Sequence, residues 1–198
     1  WDDTMRTLSI ITVCTILSIV IGIPVGILMA RSNRAQAIVT PILDVMQTMP
    51  AFVYLIPVVM LLGIGKIPGL IAVVIYAIPP VIRLTNLGIR LVDKDVLEAA
   101  DAYGASPMQK LFQVQLPLAL PNIMAGVNQT IMMALAMVVI ASMIGVKGLG
   151  QPVLKSITNQ YFTLGLLNGL AIVVLAIIFD RVSQAYAKRS QRYMENRV

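Results

Sequence analysis

Apolar residues run along this chain in five long stretches, with polar residues gathered between them. A helix needs about 20 apolar residues to cross a bilayer. The stretches at about residues 5–30, 38–62, 68–88, 121–144 and 162–179 meet or approach that length. The pattern predicts an all-α membrane protein, one transmembrane domain over residues 1–198 with five spans. A single long interhelical loop, residues 91–120, separates the third span from the fourth.

The spans are not plain anchors. Pro41, Pro50 and Pro57 interrupt the second and Pro79-Pro80 the third, and each proline frees a carbonyl that neighbours must satisfy. Gly22/Gly26 and Gly165/Gly169 stand four residues apart, a spacing that lets helices approach closely. Asp44, Gln47, Thr48, Asn128, Gln129, Thr130 and Asn168 put polar groups inside spans. Such groups serve as interhelical glue or as a polar pathway. Asp44 reads as the one acid clearly within a span, near its end, where both a capping role and a transport role are open.

Composition agrees with the pattern. The chain is 58% hydrophobic and 12% charged, with mean hydropathy +0.86, against about 45–50% and 25% in soluble domains. An ordinary soluble enzyme and a disordered chain are both excluded. There is no His and one Cys, Cys14, which argues against a metal site, a disulfide framework or a His-dependent triad. The net charge of +6 does not point to nucleic acid, because aromatics are 6% and the basic residues sit at the ends of apolar runs.

Those basic residues predict topology. Eleven fall on one side: Arg31, Arg34, Arg83, Arg90, Lys94, Lys110, Arg181, Lys188, Arg189, Arg192 and Arg197. Four fall on the other: Arg6, Lys66, Lys147 and Lys155. The positive-inside rule then puts the beginning of this segment outside and its end in the cytoplasm. The basic tail reads as topology marking, with contact to anionic lipid as the other reading. The chain begins at Trp1, as a piece of a longer subunit would, and its first apolar run follows Asp2 and Asp3 rather than a basic leader.

The 91–120 loop carries the densest local signals. Asp95 is the predicted N-cap of a first short helix, with Glu98 closing a capping box. Val96, Ala99, Ala100 and Tyr103 form its apolar face and Gly104 ends it. Ser106, Pro107 and Gln109 start a second helix with apolar Leu111, Phe112 and Val114, and Leu116-Pro117 is expected to break it before the fourth span. Two well-specified helices in one loop suit a surface that another molecule grips, or a pair lying on the membrane.

Glu98-Ala99-Ala100, three residues, Gly104, nine residues, Val114, one residue, Leu116-Pro117 resembles the EAA motif of ATP-binding cassette importer permeases, with Val114 where that pattern has Ile. The runs Gln47–Leu55, Gly126–Thr130, Ala141–Ile144 and Gly148-Leu149-Gly150 resemble the glycine betaine/proline betaine branch. The resemblance implies a five-helix type I importer core carrying compatible solutes. It implies a second copy of the subunit, two partner ATPases that bind ATP and Mg, and an extracytoplasmic binding protein or fused binding domain. The setting it implies is a prokaryotic cytoplasmic membrane. No cofactor is expected in this chain, and no ATPase of its own.

By the same resemblance the loop that docks on the ATPase includes Glu98, Ala99, Ala100, Asp101, Tyr103, Gly104, Ala105, Ser106, Pro107, Lys110, Leu116 and Pro117. Asp44, Gln47, Tyr54, Asn128, Gln129, Gly148 and Gly150 are the candidate pathway or gate residues, and the loop at about 145–160 is expected at the external gate. Gly65-Lys66 lacks the spacing of a phosphate loop, and Gly145, Gly148 and Gly150 follow no strand. The aromatics Phe52, Tyr54, Tyr76, Tyr161, Phe162 and Phe179 do not visibly converge into a cage for a quaternary amine. An ion-coupled transporter or channel also suits broken helices, but leaves the two-helix loop without a role.

Overall fold

The computed structural model describes residues 1–195, with side chains described through Ala185. The basic tail Lys188, Arg189, Arg192 and Arg197 lies outside the described side chains. The described residues are helical almost throughout: α1 (Asp2–Arg31), α2 (Asn33–Thr48), α3 (Ala51–Leu62), α4 (Lys66–Ala77), α5 (Pro79–Arg90), α6 (Lys94–Ala102), α7 (Pro107–Gln109), a π-helical turn (Lys110–Gln115), α8 (Leu116–Ala141), α9 (Gly150–Asn159) and α10 (Phe162–Glu195). Four helical runs are long and apolar enough to cross a membrane, and the bent pair α2–α3 makes a fifth.

Several predicted boundaries move for local reasons. The second span is two helices bent by 102°, not one. The bend falls at Met49-Pro50, where Met49 is extended (φ −73°, ψ 132°) as a residue before proline prefers. The third span is α4 and α5 joined at Ile78; Pro79 opens the new helix, a position where a missing N–H costs little. Leu116-Pro117 does not break the loop helix from the fourth span. The Leu116 N–H bonds the Leu111 carbonyl five residues back, a wide turn that leads directly into the next helix, where Pro117 sits in the first turn and its missing N–H costs little. The helical run is therefore continuous from Pro107 to Ile144. The fifth span continues past Phe179. The loop at 145–160, expected at the external gate, contains α9.

At the centre, α5 packs most extensively on α8 and next on α1. Glycines make both approaches possible. A Cβ at Gly26 of α1 would lie 2.6 Å from the Thr85 Cβ and 2.8 Å from the Ile82 carbonyl oxygen. A Cβ at Gly88 of α5 would lie 2.8 Å from the Asn122 Cβ, and one at Gly126 of α8 would lie 3.1 Å from the Val81 Cα. The main core lies toward the Trp1 end of α1, around Ile11, Cys14, Val73, Ala77, Met137 and Val138. A smaller cluster, Ile89, Ala119 and Ile123, holds α5 to α8 near the 91–120 loop. The outer surface of the helices is apolar: Val13, Val20, Met60, Leu61, Leu167 and Val174 are all more than 45% exposed, as lipid-facing positions are.

The pair Gly165/Gly169 is only half a contact: Gly165 faces Ser156 of α9, while a Cβ at Gly169 would meet nothing. The two glycine pairs therefore respond differently to substitution. Gly26→Val forces α1 off α5 and costs about 1–3 kcal/mol of overpacking, read as a lowered thermal midpoint of the purified subunit in detergent. Gly169→Ala leaves that midpoint unchanged or raises it.

Candidate functional site

The 91–106 segment is built almost wholly from local capping. The N-cap of α6 is Asp93 rather than Asp95: the Asp93 carboxylate accepts the Asp95 N–H at 3.0 Å. Asp93 lies one residue before the first helical position, so its carboxylate reaches the free N–H groups of the first turn, whereas Asp95 is already inside it. At the other end the Ala105 N–H donates to the Ala100 carbonyl (3.0 Å) and the Gly104 N–H to that of Asp101 (2.9 Å), the Schellman pattern. Gly104 supplies the left-handed residue this requires, at φ +75°. Ser106 and Gln109 form the predicted reciprocal box, with the Ser106 N–H donating to Gln109 Oε1 (2.8 Å) and the Gln109 N–H to Ser106 Oγ (3.3 Å). Lys110 pairs with Asp101, tying the second helix back to the first.

No residue of α6 is buried. Of its predicted apolar face, Val96 is 40% exposed and Tyr103 93%. Met108 and Phe112 are exposed as well, while Leu111 and Val92 are buried and anchor the loop to the helices. Glu98, Ala99, Asp101 and Gly104 stand open, and Ala100 and Ala105 are partly covered. Leu116 packs on the Ile89–Ala119–Ile123 cluster. The EAA residues thus form a rigid, exposed knob, and its foundation is the α5–α8 contact.

The candidate pathway residues do not form one site. Asp44 pairs with Arg83 of α5 and so holds α2 against α5. Gln47 and Gln129 are exposed on this chain. Tyr54 is buried, edge-on to Tyr76 with ring centroids 5.4 Å apart, so two of the aromatics converge, though as core packing rather than a cage. The Tyr54 hydroxyl donates to the Met46 carbonyl. In an unbroken helix that carbonyl would receive the N–H of residue 50, which is proline. Tyr54 therefore supplies the donor that Pro50 removes. Gly148 and Gly150 are packing residues: the Leu149 N–H donates to Thr7 Oγ1 at 2.9 Å, and a Cβ at Gly150 would lie 2.9 Å from the Ser142 Cβ. That turn closes over the start of α1.

Asp180 is a second acid within a span, hidden from sequence reading by ending the fifth helix at Phe179. Asn128 Nδ2 donates to it at 2.9 Å, and Gln184 Nε2 donates to both carboxylate oxygens at 2.8 and 2.9 Å. The Asp180/Gln184 spacing of four residues was the available signal. Arg90 is more than a topology marker: it donates to the Met29 carbonyl (2.8 Å), Asn33 Oδ1 (3.0 Å) and Asn86 Oδ1 (3.1 Å). It ties the end of α5, just before the loop, to the α1–α2 junction.

Residues 22–192 match the family described as binding-protein-dependent transport system inner membrane component. The chain belongs to that family. As a member of this family it is 56% identical over 191 residues to the glycine betaine/proline betaine transport system permease protein ProW of Escherichia coli (strain K12), covering 96% of this chain and 54% of that protein. It is 52% identical to the glycine betaine/carnitine transport permease protein GbuB of Listeria monocytogenes, covering 96% of this chain and 68% of GbuB. The chain thus spans about half the length of the ProW relative. An inward-facing structure of the MetNI methionine ABC transporter aligns with TM-score 0.86 at 22% identity, over 96% of this chain and 94% of that one. An amino acid ABC transporter chain aligns with TM-score 0.78 at 22% identity, over 95% and 92%. The shared fold is that of type I importer permeases.

The bend in the second span yields a direct test. Tyr54→Phe keeps the ring and its packing on Tyr76 but leaves the Met46 carbonyl without a donor. We expect a loss of about 1–3 kcal/mol, measured as a lowered unfolding midpoint, whereas Phe52→Leu, at an exposed position, leaves the midpoint in place.

Proposed function

We propose that this chain forms the translocation domain of an ATP-driven importer of compatible solutes, glycine betaine, proline betaine or related quaternary amines. The observation that carries this reading is the likeness, over 96% of the chain, to permeases named for glycine betaine transport. ATP is hydrolysed in two separate cassette subunits, two copies of this chain pair around the path, and an extracytoplasmic binding protein or domain delivers the solute. The segment enters the membrane from outside at Trp1 and ends in the cytoplasm, consistent with the basic residues counted on each side.

In this reading the knob from Glu98 to Pro117 is where an ATPase subunit takes hold. Exposed Tyr103, Met108 and Phe112 offer it apolar contact area. The capped turns and the Asp101–Lys110 pair keep the knob from deforming. The loop leaves from α5 and returns into α8, and these two helices are the most closely packed pair, so a displacement of the knob carries both. Arg90 passes the same displacement to α1 and α2. Pumping requires that the ATPase grip one arrangement of these helices better than the other. Exposed Gln47 and Gln129 are the polar groups we assign to the path.

The direct test is uptake of labelled glycine betaine into proteoliposomes holding the full-length complex, with binding protein supplied and ion gradients collapsed. We expect uptake only with ATP on the cytoplasmic face. Uptake that ignores ATP and follows an imposed ion gradient overturns the reading.

A second test addresses the knob. A side chain at Gly104 meets no neighbour within this chain, so Gly104→Val costs only the left-handed strain, about 1–2 kcal/mol. That is enough to depopulate the docked form of the loop by about 5–30-fold. We expect the variant to insert and assemble with normal yield while ATP-driven uptake falls by a factor in that range. Undiminished uptake would remove the coupling role from this turn.

A further inference from the structure

A cavity of about 760 Å³ lies between the first turns of α1, the start of α4 and the turn that follows α8. Each of these elements places one cation in its lining: Arg6, Lys66 and Lys147. All three are exposed, and among the described residues none is ion-paired. Asp2 and Asp3, the acids nearest to Arg6 in sequence, form no part of the lining. The rest of the wall is largely apolar, with Met5, Val13 and Leu70 prominent. Three like charges held around an apolar pocket call for an anion, and the apolar wall for one that also has a hydrocarbon part.

The cavity is not closed off from the lipid-facing surface. Met5, Ser9, Val13, Ile16 and Val20 follow one another at three- and four-residue steps on α1, and all are exposed. This face extends for about 22 Å, longer than one leaflet of hydrocarbon at about 15 Å. The arrangement is charged at one end, apolar along its length, and as long as an acyl chain needs.

We propose that this cavity binds an anionic phospholipid, with the headgroup phosphate among Arg6, Lys66 and Lys147 and an acyl chain along the exposed face of α1. The proposal rests on the chain being embedded in a bilayer. It does not depend on which solute is carried, nor on which leaflet this end occupies.

The test is lipid retention by the full-length complex in nanodiscs made from equal amounts of phosphatidylglycerol and phosphatidylcholine, read by native mass spectrometry after release. Nanodiscs have the same composition in both leaflets, so a wrong orientation does not affect the result. ATP-driven uptake is measured separately, so failure of the importer reading is distinguishable from failure here. We expect preferential retention of phosphatidylglycerol, weakened about fivefold for each cation removed, and lost in the Arg6→Gln, Lys66→Gln, Lys147→Gln triple variant. Lys155→Gln, an exposed cation outside the cavity, retains it. If the triple variant fails to assemble, Lys66→Gln and Lys147→Gln singly provide the graded loss. Equal retention of the two lipids, as when a second copy covers this face, overturns the proposal, as does an undiminished preference in the variants. Displacement of phosphatidylglycerol by inorganic phosphate alone would assign the site to a free anion and equally overturn it.

Discussion

The structure depends on the close approach of α5 to α1 on one flank and to α8 on the other. Hydrophobic exclusion does little to hold helices together in lipid, so contact must come from shape. Gly26, Gly88 and Gly126 bring backbones within reach of Ile82, Ala119 and Val81, where van der Waals attraction is densest. A larger residue at any of these positions would separate two helices along their whole crossing. Because α5 is gripped from both flanks, the helices on either side of it move with it.

The same helix is where the exposed loop begins. Its geometry is local: an aspartate cap, a Schellman turn through Gly104 and a serine–glutamine box need nothing from the rest of the chain. Its attachment is not local. Leu111 is buried, Leu116 seats the loop on the α5–α8 cluster, and Arg90 spans from the end of α5 to the first two helices. A stiff handle on a tightly packed pair of helices transmits force rather than absorbing it.

Backbone satisfaction explains the departures from straight helices. In a bilayer a carbonyl without a donor costs several kcal/mol, yet this chain carries prolines in most of its spans. At Pro50 the response is a sharp bend and a tyrosine hydroxyl returned to the orphaned carbonyl. At Pro117 it is a π-helical turn within a continuous helical run. At Pro79 it is the start of a new helix. The residue type is the same in all three, and the outcome is decided by which donor or which turn lies nearby.

The sequence alone determined the class of protein, the approximate positions of the spans and the presence of two helical starts in the loop. These follow from short-range rules: apolar length, cap residues and glycine at a left-handed turn. Gly104 and the Ser106–Gln109 box were legible because their partners lie within five residues. The family resemblance was legible for a similar reason, since the EAA spacing is a local pattern. Only the tertiary structure decided that Asp44 meets Arg83, that Asp180 lies within a span beside Asn128, and that Tyr54 serves Pro50 across a bend. It also decided that Arg6, Lys66 and Lys147 share one cavity. Those residues lie 39, 52 or more positions apart, except Tyr54 and Met46, which are separated by a bend instead. A hydrophobic period records which face of a helix is buried, but not which neighbour lies against it, because that is set by how closely the glycines let the helices pack.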